Sequence, residues 1–277
     1  MALFRRVFDF YLHGSIHVAL AVYALVRMTG HMFRISHESP VSLFAFFGTI
    51  AGYNFVKFHT LAVTRKRSLS PEIKAITALS FFSLLLACYY FLQLSFVAHM
   101  MSLIVLVLTI LYTLPFFPNR QNARNWAGVK IYIVSLCWVG VTVVLPVINA
   151  GVGITTDFWL KSAQRFILVF VLILIFEIVD LSKDDPLLQT VPQQIGVKRT
   201  KLLGLLLLVV FYFMELLRIH TDYGQLFVNL ALIILTGSFL AFANPQRSRY
   251  YSSFWVESIP IVWWLLVVFS DTTIHSY

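Results

Sequence analysis

IFEIVDLSKDDPLLQTVPQQIGVKRTK, residues 175–201, starts as an apolar helix at membrane depth and turns within a few residues into a run of acids: Glu177, Asp180, Asp184 and Asp185. The first three are spaced i, i+3, i+7, which on a helix puts their carboxylates on one face. Left alone, such a cluster repels itself. A cation among the oxygens removes the repulsion, and an oxygen-only donor set suits Mg2+, which keeps several waters and bridges carboxylates to a substrate phosphate. A carboxylate at membrane depth is by default a functional-site hypothesis. The plain alternative is a solvated helix end whose acids meet Lys183 and Lys198, and this suits Asp185, which points off the face.

The solvent around this helix follows from composition. Hydrophobic residues make up 59% of the 277, charged residues 12%, and the mean hydropathy is +0.83. That is the balance of a polytopic membrane protein. A bilayer-spanning helix needs about 20 mostly apolar residues, and Pro, Gly and charged clusters cut the chain into nine such lengths: 10–29, 40–62, 73–93, 96–117, 129–150, 158–181, 201–219, 224–243 and 252–270. The runs are continuously apolar, without the two-residue alternation of a membrane β-barrel. The expected fold is therefore all-α, with about nine transmembrane helices in a single domain over 1–277. The opening MALFRRVFDFYLHGSIHVALAVYALVRM has a basic head and a long apolar body with no small-residue cleavage pattern, and reads as a retained first helix. Cys88 and Cys137 both fall inside spans and suggest no disulfide framework.

Short loops rich in Lys and Arg stay on the cytoplasmic side. With nine spans, fifteen of the 21 basic residues fall on one set of loops, the N-terminus and residues 64–74, 118–130, 182–201 and 244–251. This predicts an integral multi-pass protein with a cytoplasmic N-terminus, the acidic run at the cytoplasmic end of its helix, and the C-terminus outside. The net charge of +9 then reflects topology and anionic lipid headgroups, and no module for nucleic acid is visible.

At the opening stretch the sequence resembles the UbiA superfamily of intramembrane prenyltransferases. That family's second acidic motif reads roughly Asp-x-x-Asp-x-x-x-Asp, followed by Thr-Leu-Pro-x-x-Leu-Gly; here stand EIVDLSKD and TVPQQIG, with Glu177, Val191 and Ile195 as the departures and one residue fewer between the halves. LYTLPFFPNRQNARNWAG, Leu111 to Gly128, is similar to the family loop in which a Tyr precedes basic residues that hold diphosphate. The helix count and the placement of both loops agree with the family, so the likeness runs over nearly the whole chain. The resemblance implies a UbiA-like helical bundle and an Mg2+-dependent enzyme acting on an isoprenoid diphosphate and a lipophilic acceptor.

The family's first acidic motif, Asn-Asp-x-x-Asp-x-x-x-Asp, meets YNFVKFHTLAV here: Asn54 matches, but the three Asp positions fall on Phe55, Phe58 and Ala62. Half of the implied metal apparatus is missing. Lys57 lies one turn from Asn54 on the same face, and a fixed ammonium can neutralise phosphate charge where a second Mg2+ would stand. The resulting expectation is a reduced site: one Mg2+ on Glu177, Asp180 and Asp184; Lys57, Arg120 and Lys130 on diphosphate oxygens; Asn54 and Tyr112 completing the substrate contacts; Asp180, Asp184 and Lys57 carrying catalysis. Two other readings of Lys57 stay open, an internal bridge to Glu177 or Asp180 and snorkelling to the interface.

Glu257, at the start of the last span, reads either as a general base or acceptor-orienting group, or as an acid favoured by the helix dipole. His59 reads as an interfacial histidine or a phosphate donor, Glu215 and Arg218 as a local ion pair, and His13, His17 and His99 as non-ligands. Besides the transferase, the sequence allows a terpene cyclase of the same fold, or a repurposed member that binds an isoprenoid or lipid without turning it over. A transporter is disfavoured because the intramembrane charges gather at one end.

Overall fold

The computed structural model describes residues 2–35, 40–64, 70–113, 128–185, 188–218 and 223–274, with side chains placed for all but residues 2–3, 59–64, 112–113, 223 and 271–274. Every regular element among them is helical: α1 Ala2–His13, α2 Ile16–Met32, α3 Pro40–Thr64, α4 Pro71–Phe91, α5 Phe96–Thr113, α6 Val129–Val139, α7 Leu145–Asn149, α8 Thr156–Asp180, α9 Val191–Ile195, α10 Val197–Met214, α11 Tyr223–Phe242 and α12 Ile259–Ile274.

Local chemistry sets the ends. Ser70 Oγ accepts from Ile73 N at 3.4 Å ahead of Pro71, and Thr155 Oγ1 accepts from Phe158 N at 3.4 Å; each hydroxyl caps a helix start that would otherwise leave amides unpaired. Between α6 and α7 the π-helical turn Gly140–Val144 keeps one long helix continuous. Pro146 has no N–H for the carbonyl of Thr142; that oxygen accepts instead from Thr29 Oγ1 on α2 at 2.6 Å.

Seven helices among the described residues are long and apolar enough to cross a bilayer, and an eighth follows if α1 and α2 count as one bent span. The nine spans expected from the sequence are thus not all found among the described residues. The expected first span, 10–29, is broken: α1 and α2 meet at 57°. Ser15 takes φ 62° there, and a Cβ on Gly14 would come within 2.9 Å of the Phe10 carbonyl. Where the sequence suggested a span over 96–117 there is a shorter apolar helix, Phe96–Leu111, with 114–127 outside the described residues.

The helices pack as an open ring. α4 lies on α3, α3 on α2, α2 on α12, α12 on α11, α11 on α10, α10 on α8 and α8 on α6, with α5 leaning on α6 and α7. The main core, including Leu25, Met28, Leu168, Ile175, Phe211, Leu240 and Trp263, sits where α2, α8, α10, α11 and α12 converge. A Cβ on Gly204 would stand 2.5 Å from Leu240 Cδ2, so α10 and α11 meet at a glycine. Outward faces carry Phe82, Phe213 and Phe227 exposed, as helices bathed in lipid require.

Candidate functional site

The ring encloses a cavity of about 1250 Å³ lined by α3, α4, α5, α6, α8 and the segment entering α12. Most of its wall is apolar. Its only charged lining residues among those described are Lys130, Glu177, Asp180, Asp184 and Glu257. A mostly apolar chamber with a few charged groups on its wall suits an amphiphile with a polar head.

The acids arrive on α8, which ends at Asp180. Beyond it the amides of Lys183 and Asp184 both donate to the Asp180 carbonyl, at 2.7 and 3.0 Å, and this extra turn keeps Asp184 on the lining with Glu177 and Asp180. Asp180 and Asp184 lie within electrostatic reach of each other, and Lys130 acts on both Glu177 and Asp180. Glu177 is 3% exposed, and its Oε2 accepts the Val191 amide at 3.1 Å, so it ties the acidic helix end to α9. α9 is held in turn by Gln193, whose Oε1 accepts Thr190 N at 2.8 Å and whose Nε2 donates to the Asp185 carbonyl at 3.2 Å. Asp185 is exposed.

As donors for a hard divalent cation, Asp180, Asp184 and the free Oε1 of Glu177 fit in kind: carboxylate oxygens, beside a cavity, with a lysine opposite. The described residues contain no group of three Asp, Glu, His or Cys already closed around one point. They offer nothing for a second ion, because α3 presents Asn54, Phe55, Val56 and Phe58 to the cavity.

The α3 wall differs most from the sequence expectation. Asn54 is 2% exposed and its amide is fully engaged: Oδ1 accepts from Ser15 Oγ at 2.7 Å, and Nδ2 donates to the Gly14 carbonyl at 3.0 Å and to Ser80 Oγ at 2.9 Å. It clamps the α1–α2 bend to α3 and α4 while also lining the cavity. Lys57 follows it. Its Nζ donates to Ser15 Oγ at 2.8 Å, it is not among the lining residues, and the charges in its reach are Glu257 and Arg249. The bridge to Glu177 or Asp180 is not formed, and Lys57 does not point at the acids. Lys130 does line the cavity. Arg120 and the side chains of Tyr112 and His59 lie outside the described residues.

No protein-family profile matches the sequence, and no curated protein does. Solved structures do. The backbone superposes on a UbiA homologue from Aeropyrum pernix K1 over 91% of this chain and 98% of that one, with a TM-score of 0.68 and 14% identity. A UbiA homologue from Archaeoglobus fulgidus, also solved bound to Cd2+, aligns over 95% and 99% at 0.62 and 12%. A digeranylgeranylglyceryl phosphate synthase aligns over 95% and 96% at 0.58 and 13%.

The chain has the UbiA fold.

Within this UbiA fold, the other end of α8 holds polar chemistry that sequence reasoning missed. Glu215, fully buried, accepts from Lys161 Nζ at 2.5 Å, from Gln164 Nε2 and Asn229 Nδ2 at 3.0 Å each, and from Arg218 Nη1 at 3.0 Å. Arg218 also reaches Asp157 at 3.4 Å. The local Glu215–Arg218 pair expected from the sequence is thus one edge of a network joining α8, α10 and α11. One turn on, Arg165 is buried without a carboxylate among the described residues; it donates to the Leu25 carbonyl at 3.2 Å and lies 5.3 Å from the centre of the Trp263 ring. The available signal was Lys161, Gln164 and Arg165 on one stripe of an otherwise apolar helix. His13 and His17 are engaged too, His13 by Glu72 of α4 at 2.8 Å and His17 by Tyr11 at 2.7 Å; His99 contacts the Phe91 carbonyl at 2.6 Å.

Proposed function

We propose that this chain is an intramembrane, Mg2+-dependent prenyltransferase that moves the prenyl group of an isoprenoid diphosphate onto a lipophilic acceptor. The observation that carries the reading is the large, mostly apolar cavity that Asp180, Asp184, Glu177 and Lys130 line together. The UbiA fold and the Cd2+-bound Archaeoglobus homologue support it. The acidic end faces the cytoplasm, as the distribution of Lys and Arg suggests.

Asp180, Asp184 and Glu177 Oε1 would hold a single Mg2+, which when bound supplies positive charge to the departing diphosphate. Lys130 stands beside these acids and places an ammonium against phosphate oxygens. The apolar wall, with Phe55, Phe58, Phe91 and Phe176, packs the prenyl chain, keeps water from the electron-deficient allylic carbon and offers ring faces to it. Asn54 and Lys57 contribute by fixing the α1–α2 bend against α3.

The test is Mg2+-dependent binding and turnover of geranyl, farnesyl and geranylgeranyl diphosphates by the purified protein in detergent, beside Asp180→Asn. Release of pyrophosphate that the variant loses, together with its divalent-metal binding, is expected. Diphosphate binding without release in the wild type would leave an isoprenoid-binding protein of this fold and sink the transferase.

A further inference from the structure

Among the described residues, Glu257 is the one charged residue lining the cavity that does not belong to the acidic wall or to the lysine beside it. It enters from a different element. The π-helical turn Tyr251–Val256 precedes it, and its own amide closes that turn by donating to the Ser252 carbonyl at 3.2 Å. Pro260 stands three residues on and has no N–H to offer the Val256 carbonyl, so the regular helix restarts only at Ile259. Such wide turns recur at functional sites because they reorient a side chain that a regular helix would aim elsewhere.

The carboxylate is half-buried and accepts no hydrogen bond among the described residues. The charges acting on it are Lys57 and Arg249; Lys130 and Asp184 act on both Glu177 and Asp180, and Lys183 and Arg249 act on Asp180 as well. The cavity thus takes carboxylates from two elements, the acidic wall of α8 and Glu257 at the entry to α12. An unpartnered carboxylate oxygen is an acceptor only. A ligand completes it by presenting an O–H donor, and everything around that donor must be apolar to match the wall.

Resting on the prenyltransferase reading, we infer that Glu257 is the acceptor's docking point: it takes the hydrogen bond, and in the transfer step the proton, of a hydroxyl on the lipophilic acceptor. In that step the C1–O bond of the allylic diphosphate breaks and its electron pair leaves on pyrophosphate. A lone pair of the acceptor oxygen forms the new C1–O bond, and the hydroxyl proton passes to a Glu257 oxygen. The product is a prenyl ether.

The experiment separates this from diphosphate chemistry by using binding. Purified full-length protein in detergent is titrated with 1-naphthol and with 1-methoxynaphthalene, which differ in the O–H alone, and separately with geranylgeranyl diphosphate and Mg2+. Wild type is expected to prefer naphthol by about tenfold, the worth of one well-placed hydrogen bond to a carboxyl group. Glu257→Gln, near-isosteric, should erase most of that preference, Glu257→Asp should retain part of it, and both should bind the diphosphate within about twofold of wild type. If the two probes bind alike or not at all in wild type, or if the preference survives in Glu257→Gln, the assignment falls. That second outcome is the one expected if Glu257 only balances Lys57. A naphthol preference that depends on Glu257 in a protein that turns over no diphosphate would keep the hydroxyl site and discard the transferase.

Discussion

The two ends of α8 carry similar numbers of polar groups and spend them in opposite ways. At the Thr156 end, Lys161 and Gln164 are buried and converge with Asn229 and Arg218 on Glu215, leaving the carboxylate saturated. At the Asp180 end, Asp180 and Asp184 face a cavity, and among the described residues the cation paired with Asp180 is Lys183, at 3.9 Å. Burying a charge is costly unless partners replace its water. A saturated cluster therefore signals architecture, while charge left open on a cavity wall is waiting for a ligand.

Removing charge at the open end should give the largest effect. Asp184→Asn is expected to lower pyrophosphate release by about 100-fold or more, the order lost when one electrostatic stabiliser of a leaving group is removed, with thermal unfolding in detergent shifted little. Asp185→Asn, exposed and off the cavity, is the control and should stay within about twofold. Comparable losses in both variants would erase the distinction between a cavity-facing and a solvated acid.

The saturated end should respond in stability instead. Glu215→Ala leaves the Lys161 ammonium buried without its partner, and breaking such a pair costs about 3–5 kcal/mol. Unfolding titrations should show the loss, and turnover per folded molecule should stay near wild type. A large drop in turnover at unchanged stability would mean that the two ends are not separate. Smaller again is Thr29→Val, which strands the Thr142 carbonyl that Pro146 leaves unpaired; about 1–3 kcal/mol is expected by the same measurement.

These assignments differ in how far the sequence could reach them. Membrane class, helix positions and the Glu177–Gly196 element were legible because apolar run length and a local acidic spacing are properties of contiguous residues. The face of α3 was not. Asn54 and Lys57 do share a helical face, but that face meets Ser15 at a bend with positive φ, which the sequence reading had run through as continuous helix. Phe55, Val56 and Phe58 line the cavity beside Asn54, and Lys57 does not. The Glu215 network joins residues 51 and 54 positions apart, a separation over which periodicity carries no information. Glu257 was visible as an acid near a helix start; what the sequence could not supply was the wide turn that aims it inward.

The lining charges of the cavity also have a thermodynamic consequence. Among the described residues one lysine lines the cavity against four carboxylates, so without a cation the chamber repels the anion it is proposed to bind. A diphosphate and a divalent cation must then enter as linked events, each raising the affinity of the other by the same factor. In cation-free buffer the protein should behave as though it had no diphosphate site at all, and the free Mg2+ level of the surrounding solution becomes the throttle on how much of the chain is loaded.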